Sequence, residues 1–325
     1  MAKRYKLKGF HIVLVIAIAF LLFPIAFRSG YARHLIILAM LYAILASNWD
    51  LSLGYGGIYN FAHGAFFAIG AYGAAIIARQ GISSWIGFLG GGISAVIVSA
   101  IVCLPVLRVK GVYVCLVTFA FSQLCLHIVR SQVSITGGAV GLTNIPTLTI
   151  GGFSLLDHGN LGFYYLSFVL LAASTFYLYR LVRSDFGLSI IALRDFEDYA
   201  ISRGVPLARQ RFLTFIASSF FTGLAGSIFS LYSRVAVVEL FSFTYITMLL
   251  SMVILGGAAT IFGPIIGAFI LSLVSEFLKI LGSWQYIIIA IAVVLILMYY
   301  PDGIFGGIKT IVNRMFHKER NIKRV

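Results

Sequence analysis

Charge is scarce in this sequence: 10% of its 325 residues are Asp, Glu, Lys or Arg against 61% hydrophobic, and mean hydropathy is +1.02. Soluble domains carry roughly a quarter charged residues, so a soluble globular protein is excluded and a polytopic membrane protein is indicated. Cysteine is also sparse. Cys103, Cys115 and Cys125 lie inside apolar runs, without paired spacing or a histidine in metal-ligand register, which argues against a disulfide framework or a metal site. Catalytic motifs are missing: there is no H-E-x-x-H, no G-x-S-x-G and no pair of intramembrane carboxylates. No catalytic residue is assigned and the chain is not expected to be an enzyme. It also lacks G-x-x-x-x-G-K-[ST], and its longest loop of about 30 residues is too short for a nucleotide-binding domain. ATP-driven transport would therefore place hydrolysis on another chain.

What is present is a series of apolar runs. Stretches approaching the roughly 20 residues that cross a bilayer occur at 10–27, 35–53, 57–78, 85–107, 111–129, 161–179, 212–233, 244–259, 261–281 and 284–300. Ten helices are expected, in an all-α fold. The first run follows MAKRYKLK, a signal-like charge pattern, but no A-x-A site follows it, so it is read as a retained span. Acidic residues number 10 against 24 basic ones, a net charge of +14. With both ends inside, four Lys and Arg fall in 1–9, two in 108–110, six in 180–211 and six in 301–325, leaving only Arg28, Arg33, Arg79, Arg130, Arg234 and Lys279 elsewhere. Basic residues are retained on the cytoplasmic side, so topology accounts for the charge and no nucleic acid is needed. The tail NRMFHKERNIKRV lacks the interleaved aromatics of single-strand binders and reads as a solvated end near anionic lipid headgroups.

The resulting organisation is a cytoplasmic tail at 1–9, a transmembrane domain at 10–300 and a basic cytoplasmic tail at 301–325. A nearly uncharged extracytoplasmic loop occupies 131–160, and a charged cytoplasmic stretch connects spans near 183–211. Within the latter, 188–204 has a helical pattern with Ile191, Leu193, Tyr199 and Ala200 as apolar positions, and Gly204 with Pro206 marks its stop. It reads equally as a docking helix for a soluble partner and as an amphipathic linker.

Glycines cluster twice: Gly54, Gly56, Gly57 and Gly64, then Gly256, Gly257, Gly263 and Gly267 around Pro264. Gly/Pro-interrupted segments in two related halves point to broken helices around a pathway, while close helix packing through small residues explains them too. Asn48, Asp50, Asn60 and His63 accompany the first cluster. An intramembrane ionisable group is a functional candidate by default. Asp50 is otherwise a helix-end carboxylate bonding nearby amides, and Glu276 with Lys279 an ion pair at i, i+3. Tyr59, Asn60, His63 and Gly64 are read as one helical stretch, with Asn60 and His63 on a common face and Gly64 admitting a neighbouring backbone. Pathway residue and hydrogen-bonded core histidine both remain readings of His63.

Four landmarks in order resemble the permeases of ATP-binding cassette importers for branched-chain amino acids, especially the subunit that pairs with a second, related permease: GYGGIYNFAHGAFFAIGAY (54–72), LRVKGVYVCLVTFAF (107–121) with TGGAVGLTNIP (136–146), GLSIIALRDFEDYAISRGV (187–205) and VILGGAATIFGPIIGA (253–268). The resemblance spans about 40–307. It implies an ATPase-coupling role for Arg194, Asp195, Glu197, Asp198, Ala200 and Gly204, although Arg203 and Pro206 depart from the usual pattern. The pathway would run past Asn48, Tyr59, Asn60, His63, Gly64, Gly256 and Gly257, and Thr136, Gly137, Gly138 and Gly141 would form a docking or gate surface. The implied partners are a second permease, two ATP-binding subunits carrying ATP and Mg, and an extracytoplasmic solute-binding protein, in a bacterial-type cytoplasmic membrane. Import of urea or short amides is an alternative within the class. An ion-coupled secondary transporter using Asp50 or Glu276 is the rival outside it.

Overall fold

A computed structural model of the chain describes residues 24, 29–300 and 303–307. The predicted first span 10–27 and both tails therefore lie outside the described residues, apart from Pro24 and 303–307. The fold is a helical bundle of α1 (Gly30–Asp50), α2 (His63–Arg79), α3 (Ser84–Val106), α4 (Val112–Ser131), α5 (Asp157–Val182), α6 (Asp185–Asp195), α7 (Glu197–Ser202), α8 (Leu207–Ser233), α9 (Phe243–Gly256), α10 (Gly263–Leu278) and α11 (Trp284–Tyr299). The single sheet among the described residues is a hairpin, β1 (Thr149–Ile150) with β2 (Phe153–Ser154), in the predicted outer loop.

Seven helical stretches among the described residues are long and apolar enough to cross a membrane: α1 continued to Tyr55, α3, α4, α5, α8, α10 continued to Leu281, and α11 with the helical residues 303–307. Ten full spans are not seen among the described residues, because one predicted span, 10–27, lies outside them and two others are short. At 1.5 Å per residue, the 17 residues of α2 rise about 25 Å and the 14 of α9 about 21 Å, against a hydrocarbon core of about 30 Å. The predicted span 57–78 becomes helical only at His63; residues 56–62 form a turn, with Gly57 at φ +63°.

Apolar residues on every side of α1 make it the central helix, with Ile37, Leu41, Ile44, Leu45 and Trp49 fully buried. It ends in a π-helical turn, Leu51–Tyr55. Helices α2, α3 and α8 pack backbone to backbone. A Cβ on Gly70 would run into the Gly223 carbonyl, one on Gly91 into the Gly70 carbonyl and one on Gly226 into the Phe67 carbonyl, so only glycine permits these approaches. The Ser227 hydroxyl sits in the seam and donates to the Gly70 carbonyl at 3.3 Å. On the opposite side of α3, Ile86, Leu89, Ile93, Ile97, Ile101 and Leu104 form an exposed stripe at helical spacing, the surface that lipid or another apolar chain covers.

Contacts between helix ends define two poles. Arg33 Nη1 donates to Gly159 O, Trp85 Nε1 to Thr149 O, and Leu142 pairs with Ala236, all at the pole of the hairpin. Tyr31 donates to Glu276 there, and Glu276 also pairs with Lys279, the ion pair expected from their spacing. The other pole gathers the ends of α1, α3 and α9 and the starts of α2, α4, α8 and α10 around α6 and α7.

Candidate functional site

The α6–α7 segment is two helices, not the one expected over 188–204. Ser184 caps α6 by accepting from Gly187 N at 3.4 Å, and the helix stops at Phe196, whose backbone is extended (φ −147°, ψ 81°). A new helix starts with Glu197 and Asp198, acidic residues suited to a helix N-terminus. It ends at Gly204, φ +88°, where Val205 N donates back to Ala200 O at 3.1 Å. The break gives the segment two faces. Ile190, Leu193 and Ala200 are buried against the bundle, while Phe196, Asp198, Tyr199, Ile201 and Arg203 are exposed. Arg203 donates to the Tyr199 hydroxyl at 2.9 and 3.1 Å and lies over its ring, stiffening the outer face.

Polar side chains tie this segment to the bundle. Glu197 bridges Lys110 Nζ at 2.8 Å and Arg211 Nη2 at 3.0 Å, and Arg211 Nη1 also donates to Val109 O at 3.1 Å. The carboxylate of Glu197 hydrogen-bonds the Lys110 ammonium and raises its pKa above the ordinary lysine value, so Lys110 stays charged in this link at neutral pH. Arg194 pairs with Asp195 at 2.8 Å and sends Nη1 to the Gly54 carbonyl at 2.7 Å.

Gly54 lies in the π turn, where a Cβ would collide with the Asp50 carboxylate and the Ala259 amide. Asp50 is 1% exposed, and its two oxygens accept from Ala259 N at 2.9 Å and Thr260 N at 3.2 Å. Its partners are therefore the amides of the α9–α10 turn, not those of its own helix end as expected. The turn is close-packed: a Cβ on Gly256 would meet Gly263 and Pro264, one on Gly267 would meet Met252 O, and Gly257 holds φ +109°. The two glycine clusters read separately in the sequence thus meet at Asp50.

The predicted pathway residues are mostly packed inside. Asn48 Nδ2 donates to Ile44 O at 2.8 Å and Ser174 Oγ at 2.7 Å. Asn60 lies in the turn before α2, where its Oδ1 accepts from Ala62 N at 3.0 Å, so the expected helical face shared with His63 does not exist. His63 is fully buried, stacked on Trp49 with 5.8 Å between ring centroids and bonded through Nε2 to Thr222 Oγ1 at 2.9 Å. Gly64 faces Ile246, and Tyr59 is exposed. Sequence reading missed the hydroxyls of α8: Thr214, Ser218 and Thr222 at four-residue spacing, with Ser219, Ser227 and Ser230 beside them, all buried. That spacing on an apolar helix was the available signal.

At the hairpin pole, Thr136, Gly138 and Gly141 are buried and Gly137 half-buried, so they shape the loop; Ala139 and Val140 are its exposed tip. Thr136 Oγ1 donates toward Val129 O at 2.6 Å and Gln132 O at 2.7 Å. Gly137, Gly138 and Gly141 all hold positive φ, and Gly141 lies against the Ala236 carbonyl beside the Leu142–Ala236 bridge. Among the described residues no three His, Cys, Asp or Glu side chains come together to hold a metal.

A multi-pass apolar bundle with interrupted helices and a charged, clasped two-helix segment at one pole is the build of a membrane transport permease. Residues 31–298 match the family model described as branched-chain amino acid transport system / permease component, and the chain belongs to that family. It is similar to the high-affinity branched-chain amino acid transport system permease protein LivM of Escherichia coli, 27% identical over 289 residues covering 82% of this chain and 68% of the relative. The corresponding Salmonella typhimurium protein is 26% identical over 314 residues, covering 90% and 73%. A probable LivM of Methanocaldococcus jannaschii is 27% identical over 64% of each chain. No solved structure matches the chain significantly. The chain is thus a transport subunit, the permease of an ATP-binding cassette importer that works with other subunits.

Proposed function

We propose that this permease carries branched-chain or other aliphatic amino acids, and that its α6–α7 segment is where ATP hydrolysis on partner chains is converted into movement of the gates. The observation that carries this reading is the continuous link from the segment to both interrupted hairpins: Arg194 to the Gly54 carbonyl, then Asp50 to the Ala259 and Thr260 amides. A rigid-body shift of α6–α7 would pull the α1–α2 turn and, through Asp50, the α9–α10 turn. The exposed face of Phe196, Asp198, Tyr199 and Ile201 is the surface offered to an ATPase, which would hold ATP and Mg; Arg194, Asp195, Glu197, Ala200 and Gly204 set its geometry from behind.

The α6–α7 pole is assigned to the cytoplasm. Arg108, Lys110, Arg180, Arg183, Arg194, Arg203, Arg209 and Arg211 lie there, against Arg33, Arg79, Arg130, Arg234 and Lys279 at the hairpin pole, the bias that favours this orientation. The exposed tip of the 131–160 loop then faces a solute-binding protein, and the apolar stripe of α3 faces lipid or a second permease. The α1–α2 and α9–α10 hairpins are taken as the corresponding broken elements of two related halves, with the passage opening beside Asn48, Asn60, His63, Gly64, Gly256 and Gly257 when they part. The ion-coupled alternative is disfavoured because both its carboxylates are engaged, Asp50 by two amides and Glu276 by Lys279 and Tyr31.

The test is purification of tagged protein in mild detergent, with co-purifying chains identified by mass, followed by uptake in proteoliposomes. Recovery of ATPase chains and a second permease, with leucine uptake that needs internal ATP, is expected. Uptake by this chain alone that collapses with an uncoupler would overturn the assignment.

A further inference from the structure

A cavity of about 190 Å³ lies behind the α6–α7 segment, between it, the α1–α2 turn and the starts of α4 and α8. This is room for a small metabolite. One part of its wall is aliphatic, with Ile58, Val114 and Leu193, and another carries Glu197, Gln210 and Arg211. Gly57 and Gly111 at its rim are exposed, so the space communicates with solvent.

Three features specify the ligand chemistry. Glu197 and Arg211 present an anion and a cation 3.0 Å apart, and the Arg211 side chain is only 11% exposed. Gln210 Oε1 is buried with no hydrogen-bond partner, an acceptor that gains by meeting a donor. The remaining wall favours a few apolar carbons. Arg194 also lines the space, but its guanidinium is engaged by Asp195 at 2.8 Å and the Gly54 carbonyl at 2.7 Å, so a simple anion would find Arg211 and face the Glu197 carboxylate, and a simple amine would meet the converse problem.

We propose that this cavity binds a free zwitterionic amino acid with an aliphatic side chain: its carboxylate on Arg211, its ammonium between Glu197 and Gln210 Oε1, and its side chain against Ile58, Val114 and Leu193. The Glu197–Arg211 pair opens to admit it, and each charge regains an opposite partner, so charge pairing is conserved. The occupant is wedged between the coupling segment and the bundle and restrains the displacement that drives the gates. Solute accumulated on the cytoplasmic side therefore slows its own import. This inference rests on the proposed solute class and orientation.

The test uses the complete importer in proteoliposomes with ATP inside and loaded binding protein outside. Initial leucine uptake is compared between empty vesicles and vesicles preloaded with leucine, with isocaproate (no ammonium) or with isoamylamine (no carboxylate). Leucine should slow entry about fivefold or more, within the usual range of coupling between sites, and the two half-ligands should not. Gln210→Leu, which removes the free acceptor, should keep the rate from empty vesicles and lose the inhibition, whereas Leu207→Trp, which fills the cavity from its α8 side as the occupant would, should slow uptake even from empty vesicles and leave internal leucine without further effect. No inhibition in the wild type, equal inhibition in both variants, or equal inhibition by a half-ligand overturns the proposal. Absence of any leucine uptake from empty vesicles would instead refute the solute class on which it stands.

Discussion

Replacing Asp50 with asparagine tests whether the two interrupted hairpins move together. The carboxylate is buried and accepts from Ala259 N at 2.9 Å and Thr260 N at 3.2 Å. Hydrogen bonds to a charged group contribute roughly 1.5–3 kcal/mol each. Asparagine keeps one carbonyl oxygen and turns an NH₂ toward the other amide, so one bond is lost and a buried donor faces a donor. The tether should weaken by roughly 2–4 kcal/mol, which at 1.4 kcal/mol per tenfold is a shift of roughly 30- to 700-fold toward the untethered state. Alanine, which removes both acceptors, should do worse. The assay is leucine taken up per ATP hydrolysed by the assembled complex, with assembly checked by size-exclusion chromatography. The asparagine variant should assemble and hydrolyse ATP but transport at least about tenfold less per ATP, since little of the segment's motion would reach the α9–α10 turn. Wild-type uptake per ATP in an assembled asparagine complex would refute the tether as a coupling element.

Other perturbations separate linkage from packing. Glu197→Gln removes the charge that holds Lys110 and Arg211 and leaves one acceptor for the two, so it weakens the clasp and should reduce ATPase stimulation by loaded binding protein while leaving expression intact; normal stimulation would argue that the clasp is dispensable. A lysine whose pKa is raised in the folded state contributes stability fully present below its unfolded value of about 10.4 and lost as pH rises through the folded value. Hydrogen exchange of residues 197–202 should therefore be free of any loosening from this link between about pH 6 and 9, the ordinary lysine range lying higher, and a loosening near pH 7 that Glu197→Gln abolishes would contradict it. Gly226→Val drives a side chain into the Phe67 carbonyl and should destabilise by about 3 kcal/mol or more, read as loss of monodisperse protein. His63→Ala removes a ring stack and a buried hydrogen bond, roughly 2–4 kcal/mol with the cavity included; a lowered Tm with unchanged KM marks a packing residue, whereas a changed KM at normal Tm places His63 on the passage.

Hydropathy located the ends of α3, α4, α5 and α11 within a few residues because a helix that meets lipid must be apolar over a fixed length. Its averaging window ran through residues 56–62, but Gly56 and Gly57 in the first glycine cluster did point to the interruption found there. The Glu276–Lys279 pair was legible because it is local. The partners of Asp50 lie 209 and 210 residues away and the partner of His63 lies 159 away, so no pattern within a segment could announce them. The break at Phe196 was hidden for a different reason: no glycine or proline marks it, and the contacts on either side, Arg194 to Gly54 and Glu197 to Lys110 and Arg211, are distant in sequence. The outer-loop glycines were noticed, but their positive φ angles serve the loop's own fold and leave Val140, which drew no attention, at the surface.

The glycine seam of α2, α3 and α8 has a mechanical corollary. Side chains can swing to absorb a displacement; carbonyl packed directly against Cα cannot, so these three helices behave as one stiff strut. The 27 residues of α8 make it about 40 Å long, with Arg211 near one end and the Ala236–Leu142 bridge just past the other. Under the proposed coupling role, a push delivered at the clasp would be carried along α8 to the hairpin pole. On that proposal, opening and closing at the two poles would need no separate signal between them, because they would be the two ends of a single lever.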